Sequence, residues 1–345
     1  MDKMLVTGAC GFIGSNFVRY ALSVRPGLRI VALDKLTYAG NMENLGDLLG
    51  DDRLEFVRGD VCDADLVARL MGGAASVAHF AAESHVDRSI HDPRPFLETN
   101  VIGTATLLAE ARRHPGLRYL QVSTDEVYGS LGETGAFTEE TPLQANNPYS
   151  ASKAGADLLV RAYQRTYGLD AVVTRCDNNY GPWQFPEKVV PLFISNAIED
   201  KPLPLYGDGL NVRDWIYVTD HCRAILLALE KGRAGEVYNL GAGHEVTNLE
   251  LARTILRLLG KPDSLIAFVK DRPGHDRRYA LEAAKARREL GWAPEVGFEE
   301  GMARTIEWYR THQEWWRRVK SGEYQEYYRR HYGQTHGMGR VATEA

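Results

Sequence analysis

Met4-Leu5-Val6-Thr7-Gly8-Ala9-Cys10-Gly11-Phe12-Ile13-Gly14 runs a short apolar strand directly into three evenly spaced glycines. A strand, a glycine loop and a helix starting at about Ser15 are the opening of a doubly wound parallel sheet. The glycines permit a tight turn, close backbone approach and close helix packing, and the helix N-terminus offers amide donors to a pyrophosphate. The spacing is GxxGxxG rather than GxGxxG, a weak signal on its own. A second strand, Arg29 to Leu33, ends in Asp34, twenty residues beyond Gly14, where an acid can bind the adenosine ribose. Its charge would repel a ribose 2′-phosphate, which favours NAD, although Lys35 next door leaves room for NADP.

Phe56 to Val61 reads as a third strand whose end can reach an adenine. Val77 to Ala82 reads as a fourth, with small residues at its exit where a cofactor can come close. These strands alternate with helical stretches, including Pro95 to Arg113. The expected fold class is therefore α/β: a doubly wound parallel sheet of the NAD-binding Rossmann kind, with a smaller α/β substrate domain.

Chemistry gathers further on. The apolar strand Tyr119 to Val122 ends in Ser123-Thr124-Asp125-Glu126, and the carboxyl end of a strand is where open parallel sheets place their sites. A helix then begins at Pro148, with Asn147 as its cap, and carries Tyr149 and Lys153 four residues apart on one face. An ammonium near a phenol favours phenolate, so Lys153 is expected to draw the Tyr149 pKa down from ~10 and make it a proton acceptor. Alone, the Tyr–Lys pair is an ordinary wet helix edge and the acid pair an ordinary turn or cap. Their company with the glycine loop argues for a site.

The 345 residues allow one large domain and a smaller one, and 25% charged with 44% hydrophobic residues is usual for a globular enzyme. A net charge of −5 argues against nucleic acid as the main partner. No apolar run is long enough to span a bilayer, and the first strand starts at once, so neither membrane attachment nor a signal peptide is expected. Cys10, Cys62, Cys176 and Cys222 form no CxxC pair and read as reduced thiols of a cytoplasmic protein. His79, His85 and His91 follow no metal-ligand pattern, and no metal is expected.

Beyond Tyr167 the pattern changes. Strand Ala171 to Arg175 is followed by a Pro-rich tract through Pro182, Pro191, Pro202 and Pro204, read as loops around one short helix. Trp215 to Val218, a helix from about Thr219 to Lys231 and strand Val237 to Leu240 read as a return to the sheet. The expected division is 1–175 plus about 211–243 for the cofactor, about 176–210 plus 244–318 for the substrate, and about 319–345 as an extension and tail. Leu249 to Leu259 and Gly301 to Trp316 carry helical periodicity, with Trp308, Trp315 and Trp316 read as packing residues.

Taken together, the glycine loop, Asp34, Ser123-Thr124-Asp125-Glu126-Val127-Tyr128-Gly129, Tyr149 and Lys153 resemble the extended short-chain dehydrogenase/reductase family. Ala82-Glu83-Ser84-His85-Val86-Asp87-Arg88-Ser89, Asn178-Asn179-Tyr180-Gly181-Pro182 and Asp271-Arg272-Pro273-Gly274-His275-Asp276 narrow the resemblance to its nucleotide-sugar 4,6-dehydratases, from Met4 to about Trp316. Related epimerases generally lack the acid pair after the threonine. Asp177 and Trp183 depart from the usual pattern, which has a small residue and a tyrosine there.

This resemblance implies dehydration of dTDP-glucose to dTDP-4-keto-6-deoxyglucose with NAD recycled inside each turnover. Thr124, Asp125, Glu126, Tyr149 and Lys153 would be catalytic. The cofactor would be held by Gly8, Gly11, Phe12, Ile13, Gly14, Asp34, Lys35, Thr37, Gly40, Asp60, Val61, Phe80, Ala81, Ala82, Ser84, Thr99, Val122 and Asn179, besides Tyr149 and Lys153. The nucleotide sugar would meet Ser84, Thr124, Asn178, Lys188, Val189, Pro204, Tyr206, Arg213, Asn248, Arg272 and His275, with Arg213 and Arg272 suited to the diphosphate. The resemblance also implies a homodimer through Pro95 to Arg113 and Pro148 to Tyr167. A nucleotide-sugar epimerase or decarboxylase on the same scaffold, and an idle NAD-binding regulator, are the alternatives; the regulator would have no use for the acids or the Tyr–Lys pair.

Overall fold

The computed structural model describes residues 2–271 and 275–322. In chain order its strands are β1 (Lys3–Thr7), β2 (Arg29–Asp34), β3 (Leu54–Arg58), β4 (Ser76–His79), β5 (Arg118–Thr124), β6 (Ala171–Cys176), β7 (Asn178–Tyr180), β8 (Leu203–Tyr206), β9 (Val212–Tyr217), β10 (Val237–Leu240), β11 (Glu245–Thr247) and β12 (Ile266–Val269). Seven of them form one parallel sheet in the order β10-β6-β5-β4-β1-β2-β3.

The central strands are apolar on both faces because helices cover both, as parallel sheets require. On one face the helices Phe12–Val24 and Val218–Lys231 bury Phe17, Val18, Ile225 and Leu229 against the sheet. On the other, Ala64–Met71, Thr104–Ala111 and Pro148–Tyr167 bury Val67, Leu107, Leu108 and Val160. The strand order reverses between β1 and β4, which opens a crevice at their carboxyl ends.

A second core gathers Tyr180, Trp215, Leu251, Met302, Tyr309 and Trp316 between two small sheets, β11-β9-β7 and β12-β8, and the helices Val189–Ile198, Asn248–Leu259, Phe298–Thr311 and Gln313–Ser321. Trp315 and Trp316 are buried there, as packing residues.

Some sequence expectations need correction. The first helix starts at Phe12 rather than Ser15, because Gly11, with extended backbone, serves as its cap. The stretch around Pro95 to Arg113 is helical but passes through a π-helical segment, Leu97–Gly103. Residues 215–217 do not return to the main sheet: β9 pairs with β7 and β11, and only β10 rejoins beside β6. The Pro-rich tract contains the strands β7 and β8 besides its helix. The helical stretch 301–316 is two helices, broken at His312, whose Nδ1 lies 2.9 Å from Trp308 O.

Candidate active site

The loop after β1 needs its glycines for steric reasons. Gly8 has φ +69°, and a Cβ there would lie 2.5 Å from Ala81 N; one on Gly14 would lie 2.1 Å from Gly8 O. Gly11 caps the helix without a side chain, and no acid occupies the first turn, so the N-terminal amides keep their positive end for an anion. Asp34 braces this loop, accepting from Cys10 N and Leu36 N at 2.8 Å each. Burial raises its pKa and these two donors pull it back.

Asp34 lines a cavity of about 580 Å³ with Gly8, Gly11, Lys35, Thr37, Gly40, Asp60, Val61, Phe80, Ala81, Ala82 and Thr99. Lys35 reaches across to Asp60, 2.6 Å away, which occupies a cation beside Asp34 that would otherwise welcome a 2′-phosphate. A second cavity of about 1230 Å³ shares Gly8, Gly11, Phe80 and Ala82 with the first. It adds Phe12, Ile13, Gly14, Ser84, Val122, Thr124, Asp125, Glu126, Tyr149, Lys153, Asn178, Asn179 and Lys188. Two adjoining spaces meeting over a glycine loop can hold an elongated dinucleotide.

At the end of β5 the chain turns through Asp125–Tyr128. The Thr124 hydroxyl donates to Asp125 Oδ1 at 3.0 Å and accepts from Glu126 N at 3.4 Å. Asp125 is only 2% exposed. Burial first, then the Glu126 charge, pushes its pKa up to about 8, with Thr124 and Arg213 acting against the rise. Near neutral pH Asp125 therefore holds a proton. Glu126 is less buried, and its Oε2 accepts from Asn147 Nδ2 at 3.4 Å. Adjacent acids in unlike settings can act as donor and acceptor in one reaction.

Asn147 is also the cap the sequence suggests: its Oδ1 accepts from Ser150 N at 2.9 Å in a reciprocal box, and Pro148 is the first helical residue. This helix brings Tyr149 and Lys153 to the cavity, but the expected effect of lysine on tyrosine is not what the structure has. Lys153 Nζ donates to Val122 O at 2.7 Å. The Tyr149 pKa is raised well above its ordinary value, by burial first and then by Glu126, while the Thr124 hydroxyl within hydrogen-bonding reach of the phenol works in the other direction. Helical spacing aligned the two residues; the lysine's turn toward the strand end decided its partner.

A GDP-mannose 4,6 dehydratase family model matches residues 5–305. A dTDP-glucose 4,6-dehydratase of Actinoplanes sp. is 53% identical over 319 residues, 91% of this chain and 99% of that one. The chain belongs to the dTDP-glucose 4,6-dehydratase family. Two crystal structures agree. The dTDP-glucose 4,6-dehydratase of Streptomyces venezuelae with NAD and TYD bound superposes with TM-score 0.90 at 53% identity, covering 92% of this chain and 99% of that one. The Bacillus anthracis enzyme in complex with NAD gives 0.88 at 50% identity, covering 92% and 100%.

With the dehydratase family established, the positions of the remaining expected residues can be read. Ser84, Thr124, Asn178 and Lys188 line the central cavity, where Lys188 Nζ donates to Ser84 O at 2.9 Å. Val189, Pro204, Tyr206, Arg213, Asn248 and His275 are not among its lining residues. They belong to the side built on the small sheets: Tyr206 and His275 have rings 6.1 Å apart, and Arg213 lies over Tyr279 with its guanidinium donating to Asp276 O at 2.8 Å. Arg272 lies outside the described residues.

Sequence reasoning missed several cavity-lining residues, among them Tyr38, Cys176, Asp177, Gln184 and Phe185. It also missed the support behind the acids. Arg175 Nε donates to Asp157 Oδ2 at 2.9 Å and its Nη1 to Tyr128 Oη at 2.8 Å, and Tyr128 in turn donates to Asn239 Oδ1 at 2.8 Å. This buried chain ties the helix of Tyr149 to the acid turn. Its one sequence signal is an arginine in the fully buried strand β6.

Proposed function

We propose that the five residues at the end of β5 and the start of the helix Pro148–Tyr167 divide the dehydration of dTDP-glucose among them. The chain converts dTDP-glucose to dTDP-4-keto-6-deoxyglucose, an NAD-dependent hydro-lyase reaction. NAD, when bound, supplies the acceptor for the C4 hydride and returns that hydride at C6. Tyr149 takes the 4-hydroxyl proton while Thr124 holds the oxygen. The resulting 4-keto group acidifies the C5 proton, which Glu126 removes as Asp125 protonates the departing 6-hydroxyl; Glu126 then returns a proton to C5 as the hydride adds at C6. Lys153, bound to the Val122 carbonyl, fixes the helix against β5 at the cavity wall. The observation that carries this assignment is the unlike setting of the adjacent acids: a buried, proton-holding Asp125 beside a less buried Glu126.

The cofactor positions proposed are those lining the two cavities. On the sugar-nucleotide side we propose Ser84, Thr124, Asn178 and Lys188 nearest the sugar, with Val189, Pro204, Tyr206, Arg213, Asn248, Arg272 and His275 toward the nucleotide. The cofactor portion is proposed as 1–175 plus about 211–243 and the substrate portion as about 176–210 plus 244–318, leaving about 319–345 as an extension; within 211–243, β9 pairs with β7 and β11 of the small sheet.

A homodimer is proposed through the two helical stretches, which present Leu97, Ile102, Leu158 and Tyr167 outward, each more than half exposed. A cytoplasmic setting is proposed from the four unpaired cysteines among the described residues.

A panel of dTDP-, UDP-, GDP- and CDP-hexoses, each incubated with enzyme and NAD and weighed by mass spectrometry, tests the reading. Only dTDP-glucose should efficiently lose one water, with no free NADH accumulating. An epimerase would leave every mass unchanged, a decarboxylase would need a uronic acid, and an idle binder would convert nothing.

A further inference from the structure

Asp177 and Asp214 are both almost wholly buried, at 3% and 1% exposure, and their carboxyl groups lie within hydrogen-bonding reach of each other. Two carboxylates cannot hydrogen-bond without a proton between them. Both oxygens of Asp214 already accept backbone donors, Gly243 N at 2.9 Å and His244 N at 2.6 Å, while Asp177 Oδ2 accepts one, Ala242 N at 3.1 Å. The arrangement places the shared proton on Asp177. Three consecutive amides of the 241–244 segment are thus held by one acid pair.

The location gives the pair its purpose. Asp177 sits where β6 of the main sheet passes into β7 of the small sheet, Asp214 lies on β9, and the clasped segment joins β10 of the main sheet to β11 of the small one. Two of the chain crossings between the sheets, β6 to β7 and β10 to β11, meet at this point. Asp177 itself lines the central cavity, immediately before Asn178 and Asn179, and Asn179 Nδ2 donates back to Asp177 O at 3.0 Å.

We infer that Asp177 is a positioning residue: as the neutral partner of Asp214 it fastens the two sheets together and sets the cavity floor beneath the reacting sugar. The groups facing it are Asp125 from the end of β5, Cys176 from β6 and Asp214 from β9. Burial, reinforced by Asp214 and then Asp125, raises the Asp177 pKa well above its ordinary value. The floor's role in turnover rests on the proposed dehydration; the shared proton does not.

The test compares the wild type with Asp177→Asn and Asp177→Ser, both unable to titrate. Because the folded-state pKa of Asp177 is raised, its proton costs no stability below the ordinary aspartate value of ~4, and wild-type stability is lost as pH climbs from there toward the folded value. Chemical denaturation at a series of pH values above the ordinary aspartate range should show Asp177→Asn gaining on the wild type by up to about tenfold in folding equilibrium constant per pH unit until the folded value is passed. Parallel pH profiles would overturn the shared proton.

Asparagine can still donate to Asp214, so Asp177→Asn should turn over at least tenfold faster than Asp177→Ser; equal loss in the two would overturn the positioning role. If neither variant folds, carboxyl-carbon NMR of wild-type protein labelled at aspartate decides. An assigned Asp177 carboxyl signal that stays neutral well above the ordinary aspartate range supports the pair, and ionisation of Asp177 within that range overturns it. The denaturation and NMR readings stand whatever sugar the enzyme accepts.

Discussion

Asn147 Nδ2 donates to Glu126 Oε2 at 3.4 Å while Asn147 Oδ1 caps the helix that carries Tyr149 and Lys153. One side chain thereby couples the proposed C5 base to the proposed C4 base. Asn147→Ala should cost about 1 kcal/mol of stability, the usual loss of a cap. Asn147→Asp keeps the cap but sets a carboxylate against Glu126, so it should restore stability without restoring the dehydration rate. Denaturation midpoints and single-turnover rates for the two variants check this; full recovery of rate in Asn147→Asp would deny any link to Glu126.

Tyr149→Phe should abolish oxidation at C4, whereas Glu126→Gln should spare it and slow proton loss from C5 by at least 100-fold, a typical contribution of general base catalysis. Transient NADH absorbance reads the first step, and exchange of C5 deuterium with solvent reads the second. Native exchange in Glu126→Gln would assign the base elsewhere.

The Asp125 pKa of about 8 gives the pH dependence its sign. The acid works only while protonated, so the elimination step should hold steady below that value and fall about tenfold per unit above it. Asp125→Asn should lower the plateau and remove this limb. A rate that rises through pH 8 to 9 in the wild type would contradict a protonated Asp125.

Much of this site was legible in the sequence because its signals are local. The glycine loop, Asp34, the acids after β5 and the Asn147-Pro148 helix start are each fixed by neighbours within a few residues. What the sequence hid depends on distant partners. Residues 215–217 are apolar enough to belong to any central strand, and no periodicity reveals that their strand pairs with β7 and β11. The break at His312 has no glycine or proline to mark it. Lys153 shares the expected face with Tyr149, but its hydrogen bond to Val122 spans 31 residues, and the burial of Tyr149, then the Glu126 charge, raises the phenol against the expected direction. Asp177 read as a departure from the family pattern; its meaning appeared only with Asp214 beside it.

Ile102→Glu combined with Leu158→Glu should yield monomers without unfolding the sheet, since both side chains are more than half exposed. Sedimentation velocity would show a dimer for the wild type and a monomer for the variant. Identical sedimentation of the two would move the proposed interface elsewhere.

Redox-neutral dehydration within one site is tested most sharply by the fate of the hydrogen at C4. The enzyme with bound NAD is given dTDP-glucose deuterated at C4, and the product is weighed and its label located by NMR. Internal recycling of the hydride predicts loss of one water with the deuterium retained at C6. Loss of the label to solvent or to free NADH, or a product of unchanged mass, would contradict it.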